Sequence, residues 1–213
     1  VLTASFDFDA DDLGWDGNKG LVFHYDDHAM TRIGWVAADG GKVETLADDL
    51  GGTAIGRPYA GGSMSIAGGR IAYTRVSEYR PADVAIVDRG GKPRSLTDLN
   101  ANLLGHRRLG KVEEMRVKSS ADGREVEAWI VTPPDFDALK KYPLMLEIHG
   151  GPFANYGPRF APETQLYAAQ GYIVVYANPR GSTSYGSEFA NLIQNAYPGN
   201  DYDDLMSVVD AVI

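Results

Sequence analysis

The sequence predicts a chain in two parts: repeated all-β units of the kind that form propeller blades, followed by a segment of α/β type. Three observations predict this. The first hundred residues repeat at a spacing of 50 positions without a gap. A polar, glycine-punctuated connector, NANLLGHRRLG from Asn100 to Gly110, interrupts that pattern. Beyond it, two apolar strands flank a helix that opens on Pro162 and stops at Gly171. Residues 1–110 are therefore expected to form blades and connector, and residues 111–213 a second unit.

In the repeat, Leu21-Val22-Phe23 matches Ile71-Ala72-Tyr73, Gly40-Gly41-Lys42 matches Gly90-Gly91-Lys92, and Thr45-Leu46 matches Ser95-Leu96, each 50 apart (71 − 21 = 50). Each unit reads as a glycine turn (Asp16-Gly17-Asn18, then Ala67-Gly68-Gly69), a short apolar strand, and a second strand (Ile33 to Ala37, then Val84 to Val87). A glycine hairpin and a further strand follow. Units of this length built from four short strands are the signature of propeller blades. A ring typically takes about four to eight blades, so the pair is expected to end a larger propeller whose start precedes Val1. A small β-sandwich with accidental internal similarity is the alternative.

Past the connector, strands are expected at Val112 to Lys118 and Glu125 to Thr132, joined by the turn Ser120-Ala121-Asp122-Gly123 and ended by Pro133-Pro134. Leu144 to Ile148 reads as a buried strand running into a glycine turn, His149-Gly150-Gly151-Pro152. The helix from Pro162 has proline at its start and glycine at its stop. Tyr172 to Tyr176 is apolar throughout, as a strand covered on both faces must be. Strand, helix and strand with short connections imply a parallel pairing. The loops after these strands, His149 to Pro152 and Asn178 to Ser182, should then meet at one sheet edge, where α/β proteins bind ligands. A weakly helical stretch spans Glu188 to Asn195. A clearer helix begins at Asp201, a candidate N-cap, with Asp203 and Asp204 read as charges favouring the positive helix end; the chain is expected to stop inside it.

Composition narrows the function. With 44% hydrophobic and 23% charged residues the chain is an ordinary globular one. A net charge of −9 offers no basic stripe for nucleic acid or an anionic membrane, and no apolar run is long enough to span a bilayer. Without cysteine there is no disulfide and no thiolate metal site. His24 and His28 have ligand spacing, but Tyr25-Asp26-Asp27 between them reads as a loop, so no metal or other cofactor is expected. The chain opens on Val1 with no basic, apolar leader, so either a signal was removed or this is an excised piece; separately, a cytoplasmic address is expected, with periplasmic and secreted ones left open.

The stretches VEEMRVKSSADG, YPLMLEIHGGPFANYG, AAQGYIVVYANPRGSTSYG and YPGNDYDDLMSVVDAVI, in this order, make Val112 to Ile213 resemble the prolyl oligopeptidase family of serine peptidases, most closely its acylaminoacyl-peptidase and dipeptidyl-peptidase-like bacterial branch. The resemblance implies a β-propeller followed by an α/β-hydrolase domain, of which this chain carries the N-terminal half. It also implies hydrolysis of short peptides by a Ser-Asp-His triad through an acyl-enzyme. None of that triad is found. Gly62-Ser63-Met64-Ser65 lacks the closing glycine of a GxSxG elbow, Gly181 to Ser184 fails the pattern, and His149 precedes where a nucleophile would stand, so it reads as structural. The segment alone is expected to be inactive and to need a missing C-terminal part of the same protein. By the resemblance, the Gly151 N–H is an oxyanion donor. Phe153 could line a substrate pocket or simply pack. Arg180 could meet substrate or tie its loop to the neighbouring His149 to Pro152 loop. A short peptide is the expected partner, and a homo-oligomer is admitted. An esterase or amidase of the same fold, and a non-catalytic binding fragment, are the competing readings.

Overall fold

The computed structural model describes every residue except Val1, Ala4 and Ile55. Two sheets form. The first contains eight strands: β1 (Asp11–Asp16), β2 (Gly20–Asp27), β3 (Met30–Ala37), β4 (Glu44–Leu50), β5 (Met64–Ala67), β6 (Arg70–Ser77), β7 (Arg80–Asp88) and β8 (Arg94–Ser95). They fold as two antiparallel meanders, β1 to β4 and β5 to β8. A single residue pair, Leu50 with Arg75, joins them. Strand starts recur at the spacing read in the sequence: Gly20 and Arg70, Met30 and Arg80, Glu44 and Arg94, each 50 apart (70 − 20, 80 − 30, 94 − 44).

The meanders stack in the same sense. Ile71 and Tyr73 on β6 point into the core shared by the two meanders, where β2 contributes Val22. Their counterparts on β2, Leu21 and Phe23, lie on the opposite face, as alternation along a strand requires. Thus one meander presents to its neighbour the face that the neighbour presents outward. On β2 that outward face is covered by Phe6 and Phe8 from the N-terminal segment, with Phe6 set edge-on to Phe23 and Tyr25. Repeats stacked this way bury apolar faces that no single meander could bury alone.

After the short α1 (Ala101–Leu104) come β9 (Lys111–Lys118), β10 (Glu125–Thr132), β11 (Leu144–Glu147), α2 (Pro162–Ala169), β12 (Ile173–Asn178), α3 (Gly186–Asn191) and α4 (Asn200–Asp210). The second sheet has the order β11-β12-β10-β9. β9 and β10 form a hairpin, β12 runs antiparallel to β10, and β11 is parallel to β12, with α2 as the crossover. Both faces are covered. Trp129, Val131, Val174 and Tyr176 face one core, with the Trp129 and Tyr176 rings stacked at 5.3 Å. Val126, Ala128, Val175 and Ala177 face the other, against Leu205 and Val208 of α4. This accounts for the unbroken apolar run on β12.

Element ends differ from expectation by one to four residues. β11 stops at Glu147 and Ile148 is half exposed. The weak helix begins at Gly186 and ends at Asn191 rather than spanning 188–195. Gly199, not Asp201, occupies the cap position of α4, and the helix closes at Asp210, before the chain does. Among the described residues no helix is long and apolar enough to cross a membrane.

Trp129 is 1% exposed, so Trp129→Ala is expected to lower unfolding free energy by about 3–5 kcal/mol through lost burial and a residual cavity. Trp15→Ala, at a position 62% exposed, should stay within about 0.5 kcal/mol. Denaturant titrations of both variants check the contrast.

Candidate active site

Two loops meet at the end of β11 and β12, as the parallel pairing requires. The first runs from His149 to Tyr156 and the second from Pro179 to Tyr185. Asn178, fully buried at the end of β12, binds them together: its Oδ1 accepts from the Tyr156 N–H at 2.8 Å, and its Nδ2 donates to the Tyr156 carbonyl at 2.9 Å and to Tyr185 Oη at 2.7 Å. Thr183 N–H donates to the Ala154 carbonyl at 3.1 Å.

His149 adds a further tie. Ser182 Oγ donates its single proton to the Pro179 carbonyl at 2.7 Å, so the 3.0 Å contact between His149 Nε2 and Ser182 Oγ is made by the imidazole N–H. Nδ1 is then the unprotonated nitrogen; it is buried and has no partner. Burial dominates the balance and holds the pKa below the ordinary value of 6.5. A neutral histidine is what the pocket accommodates. The structural reading of His149 fits this geometry, and its partner is Ser182.

Gly151 occupies a conformation that only glycine tolerates well, with φ at +149°. A Cβ there would sit 3.1 Å from Phe153 N and 3.2 Å from Ala154 Cβ. Gly150 is different: a Cβ would meet nothing within 4 Å. Its N–H donates to Tyr59 Oη at 3.3 Å. Among the described residues nothing accepts the Gly151 N–H. The turn therefore presents the Gly151 N–H without an acceptor among the described residues, at an exposed glycine whose φ another residue would adopt only with strain.

A cleft of about 680 Å³ opens beside this turn. One wall is made of Phe6, Asp7, Phe8, Asp9, Asp11 and Tyr59 from the β-repeat, the other of Phe153, Asn155, Thr183 and the start of α3. Phe153 lines it and is 57% exposed, so its ring does not pack into a core. A polar chain crosses the floor between the two sheets. Arg159 donates to Thr31 Oγ1 at 2.8 Å, Thr31 donates to Asp26 Oδ1 at 2.6 Å, and Asp26 Oδ2 accepts from Asn155 Nδ2 at 2.8 Å.

Arg180 is not at the cleft. Its Nε and Nη2 donate to Asp204 at 2.9 and 2.8 Å, and its Nη1 and Nη2 to Asp122 at 3.1 and 3.0 Å. With 7% of the side chain exposed and every guanidinium nitrogen engaged by Asp204, Asp122 or Ser119, Arg180 faces its ion-pair partners rather than the cleft. The expected tie to the His149 to Pro152 loop is also absent: Arg180 tethers its loop to the β9–β10 turn and to α4. This corrects the reading of Asp204 as well. It is fully buried and faces Arg180, so it serves the ion pair rather than only the helix end. Asp122 is held below the usual carboxylate range by Arg180. Sequence reasoning missed Tyr59, Asn178 and Ser182. Only the position of Asn178 and Ser182 in a strand-end loop could have suggested them, and Tyr59 lies in a loop of the other sheet.

Residues 158–213 match the model of the prolyl oligopeptidase family. The chain is 30% identical over 212 residues to dipeptidyl-peptidase 5 of Aspergillus fumigatus, covering 96% of this chain and 28% of that one. It is 40% identical over 134 residues to an uncharacterized peptidase of Bacillus subtilis, covering 63% of this chain and 20% of that one. The solved acylaminoacyl peptidase of Pyrococcus horikoshii has the same fold over 99% of this chain, with a TM-score of 0.83 at 24% identity and 32% of that protein covered. The chain thus spans less than a third of the length of each of these proteins.

Asp204→Ala should cost about 3 kcal/mol in unfolding free energy, because it strands a buried guanidinium; Asp122→Ala, whose carboxylate is partly exposed, should cost clearly less. Thermal and denaturant unfolding of the two variants compare them. His149 predicts an acid sensitivity. Its pKa is lowered in the fold, so below pH 6.5 the unfolded chain takes up the proton first. Stability should fall with pH from there by at most about 1.4 kcal/mol per unit until the folded form also protonates. His149→Gln should flatten that part of a Tm–pH profile.

Proposed function

We propose that this chain, which belongs to the prolyl oligopeptidase family, is part of a serine peptidase that hydrolyses short peptides of the acylaminoacyl- or dipeptidyl-peptidase type. Residues 1–110 are its blades and connector, and 111–213 the first part of its α/β-hydrolase domain. The observation that carries the reading is the Gly151 turn, held at φ +149°, two residues before Phe153 on the wall of a cleft whose other wall is the β-repeat.

The chemistry follows from that donor. A serine hydroxyl attacks the scissile carbonyl, a histidine takes its proton, and the carbonyl oxygen becomes an oxyanion. Gly151 N–H meets that oxygen together with the N–H following the serine; one such donor is worth about 2.7–4 kcal/mol in the transition state. The oxyanion collapses with departure of the amine, which the histidine protonates, and water then releases the acyl group by the same sequence. The residues of this chain supply the oxyanion loop and the two facing walls of the cleft; the chain contains no GxSxG elbow. Among the described residues β11 is an edge strand, and a further parallel strand beside it would bring a nucleophile to the sheet end that carries Gly151.

The cleft favours peptides of a few residues, since its volume is that of an ordinary small-ligand site. Phe153, exposed on its wall, is placed to contact the substrate beside the scissile bond. The full-length protein should hydrolyse a dipeptidyl or acyl-alanyl anilide in preference to a short nitrophenyl ester, and a fluorophosphonate should abolish the activity. Preference for the ester would replace the peptidase reading with an esterase one.

A further inference from the structure

We propose that Tyr59, from the β-repeat, is a positioning residue for the catalytic turn: its hydroxyl captures the Gly150 N–H and thereby leaves Gly151 N–H as the donor offered to the oxyanion. The inference rests on the peptidase reading of Gly151. Tyr59 lies in the long connection between β4 and β5, and residues 57–61 of that connection form a strap from the first sheet onto the second. Tyr59 pairs with Tyr156 in an antiparallel bridge, closed by Ala60 N–H to the Asn155 carbonyl and Gly157 N–H to the Pro58 carbonyl, both at 3.0 Å. Its ring stands edge-on to Tyr156 at 4.7 Å and to His149 at 6.4 Å. Backbone and ring are thus both fixed, and the hydroxyl can reach Gly150 N–H at 3.3 Å.

Two consecutive amides in a glycine turn can compete for one acceptor, and a rotated peptide plane would present the wrong one. Glycine carries no side chain whose packing could fix the backbone at position 150, and the space a Cβ would take there is open. The hydroxyl of Tyr59 supplies the missing restraint by giving that N–H an acceptor. Because the restraint comes from the other sheet, the donor geometry of the turn is set only when the strap is docked. Arg57 docks the same strap independently, through Nε to Glu147 at 3.0 Å and to Glu163 at 3.2 Å, without touching Gly150.

The test uses the full-length protein and a peptide anilide, with Tyr59→Phe and Arg57→Gln measured side by side. Tyr59→Phe keeps the ring and should lower kcat about tenfold, with KM within about twofold, because the donor rather than the binding cleft is disturbed. Arg57→Gln should leave kcat within about twofold. An unchanged kcat in Tyr59→Phe overturns the proposal, and so does an equal fall in both variants, which would make the strap only a dock. Amide hydrogen exchange provides a second measurement that holds even if activity is lost: scaled to core amides of the same variant, Gly150 should exchange faster in Tyr59→Phe than in Arg57→Gln, and equal exchange overturns the clamp. Absence of peptide turnover in the unmutated protein would fail the Gly151 reading, while exchange at Gly150 would still decide the role of Tyr59.

Discussion

The structure depends on one short seam, the antiparallel contact of residues 58–60 with residues 155–157. Here backbone from the β-repeat pairs directly with backbone from the second unit's loop, as it also does where His28 N–H donates to the Ser184 carbonyl at 2.9 Å and Phe160 N–H to the Ser77 carbonyl at 2.8 Å. Buried N–H and C=O groups must find partners, and here each sheet's loop satisfies groups of the other. Around the seam further contacts cross between the units: Ala29 N–H reaches Ser184 Oγ at 2.7 Å, and Arg57 reaches Glu147 at 3.0 Å. The turn at Gly150 and Gly151 is then framed from both sides, by Asn178 and Ser182 below it and by Tyr59 above.

The buried charges follow the same division. Arg180, Asp204 and Asp122 form a closed set within the second unit, where geometry compensates the desolvation of each ion. Arg159 is a different case. It is buried between the sheets with Thr31 Oγ1 as its hydrogen-bond partner, its Nη1 unpartnered, and burial lowers its pKa. The negative charge of Asp26 lies one hydroxyl further on. A guanidinium in that position is stabilised only while the Thr31 and Asp26 side of the interface stays in place, so the polar chain favours the docked arrangement of the two sheets over a separated one. Asn155 continues the chain to Thr183 at 3.0 Å, and so couples the interface to the wall of the cleft.

Most of the fold was legible because its signals are local. Glycine turns at Gly17 and Gly68, alternating strands on either side, and a proline-started helix between two apolar runs depend on backbone freedom and periodicity, which neighbouring residues express directly. The spacing of 50 survives in the strand starts because each meander is the same packing unit. Arg180 shows the limit. A strand-end arginine reads equally well as a ligand for substrate, a tie to the adjacent loop or a buried ion-pair partner, and the choice depends on Asp122 and Asp204, residues 58 and 24 positions away. Phe153 likewise could have packed or lined a pocket, and its exposure on the cleft wall followed only from the course of both loops.

The sequence by itself determined the order of the units, the parallel pairing that brings two strand-end loops to one edge, and the glycine turn that follows β11. Those are properties of short stretches of backbone. Tertiary structure alone decided which amide of the turn is free, because the answer lies in a hydrogen bond from Gly150 to Tyr59, 91 residues earlier and in the other sheet. No local rule relates those two positions. Their meeting follows from the stacking of two meanders and the path of one connecting strap, and both are consequences of burial over the whole chain.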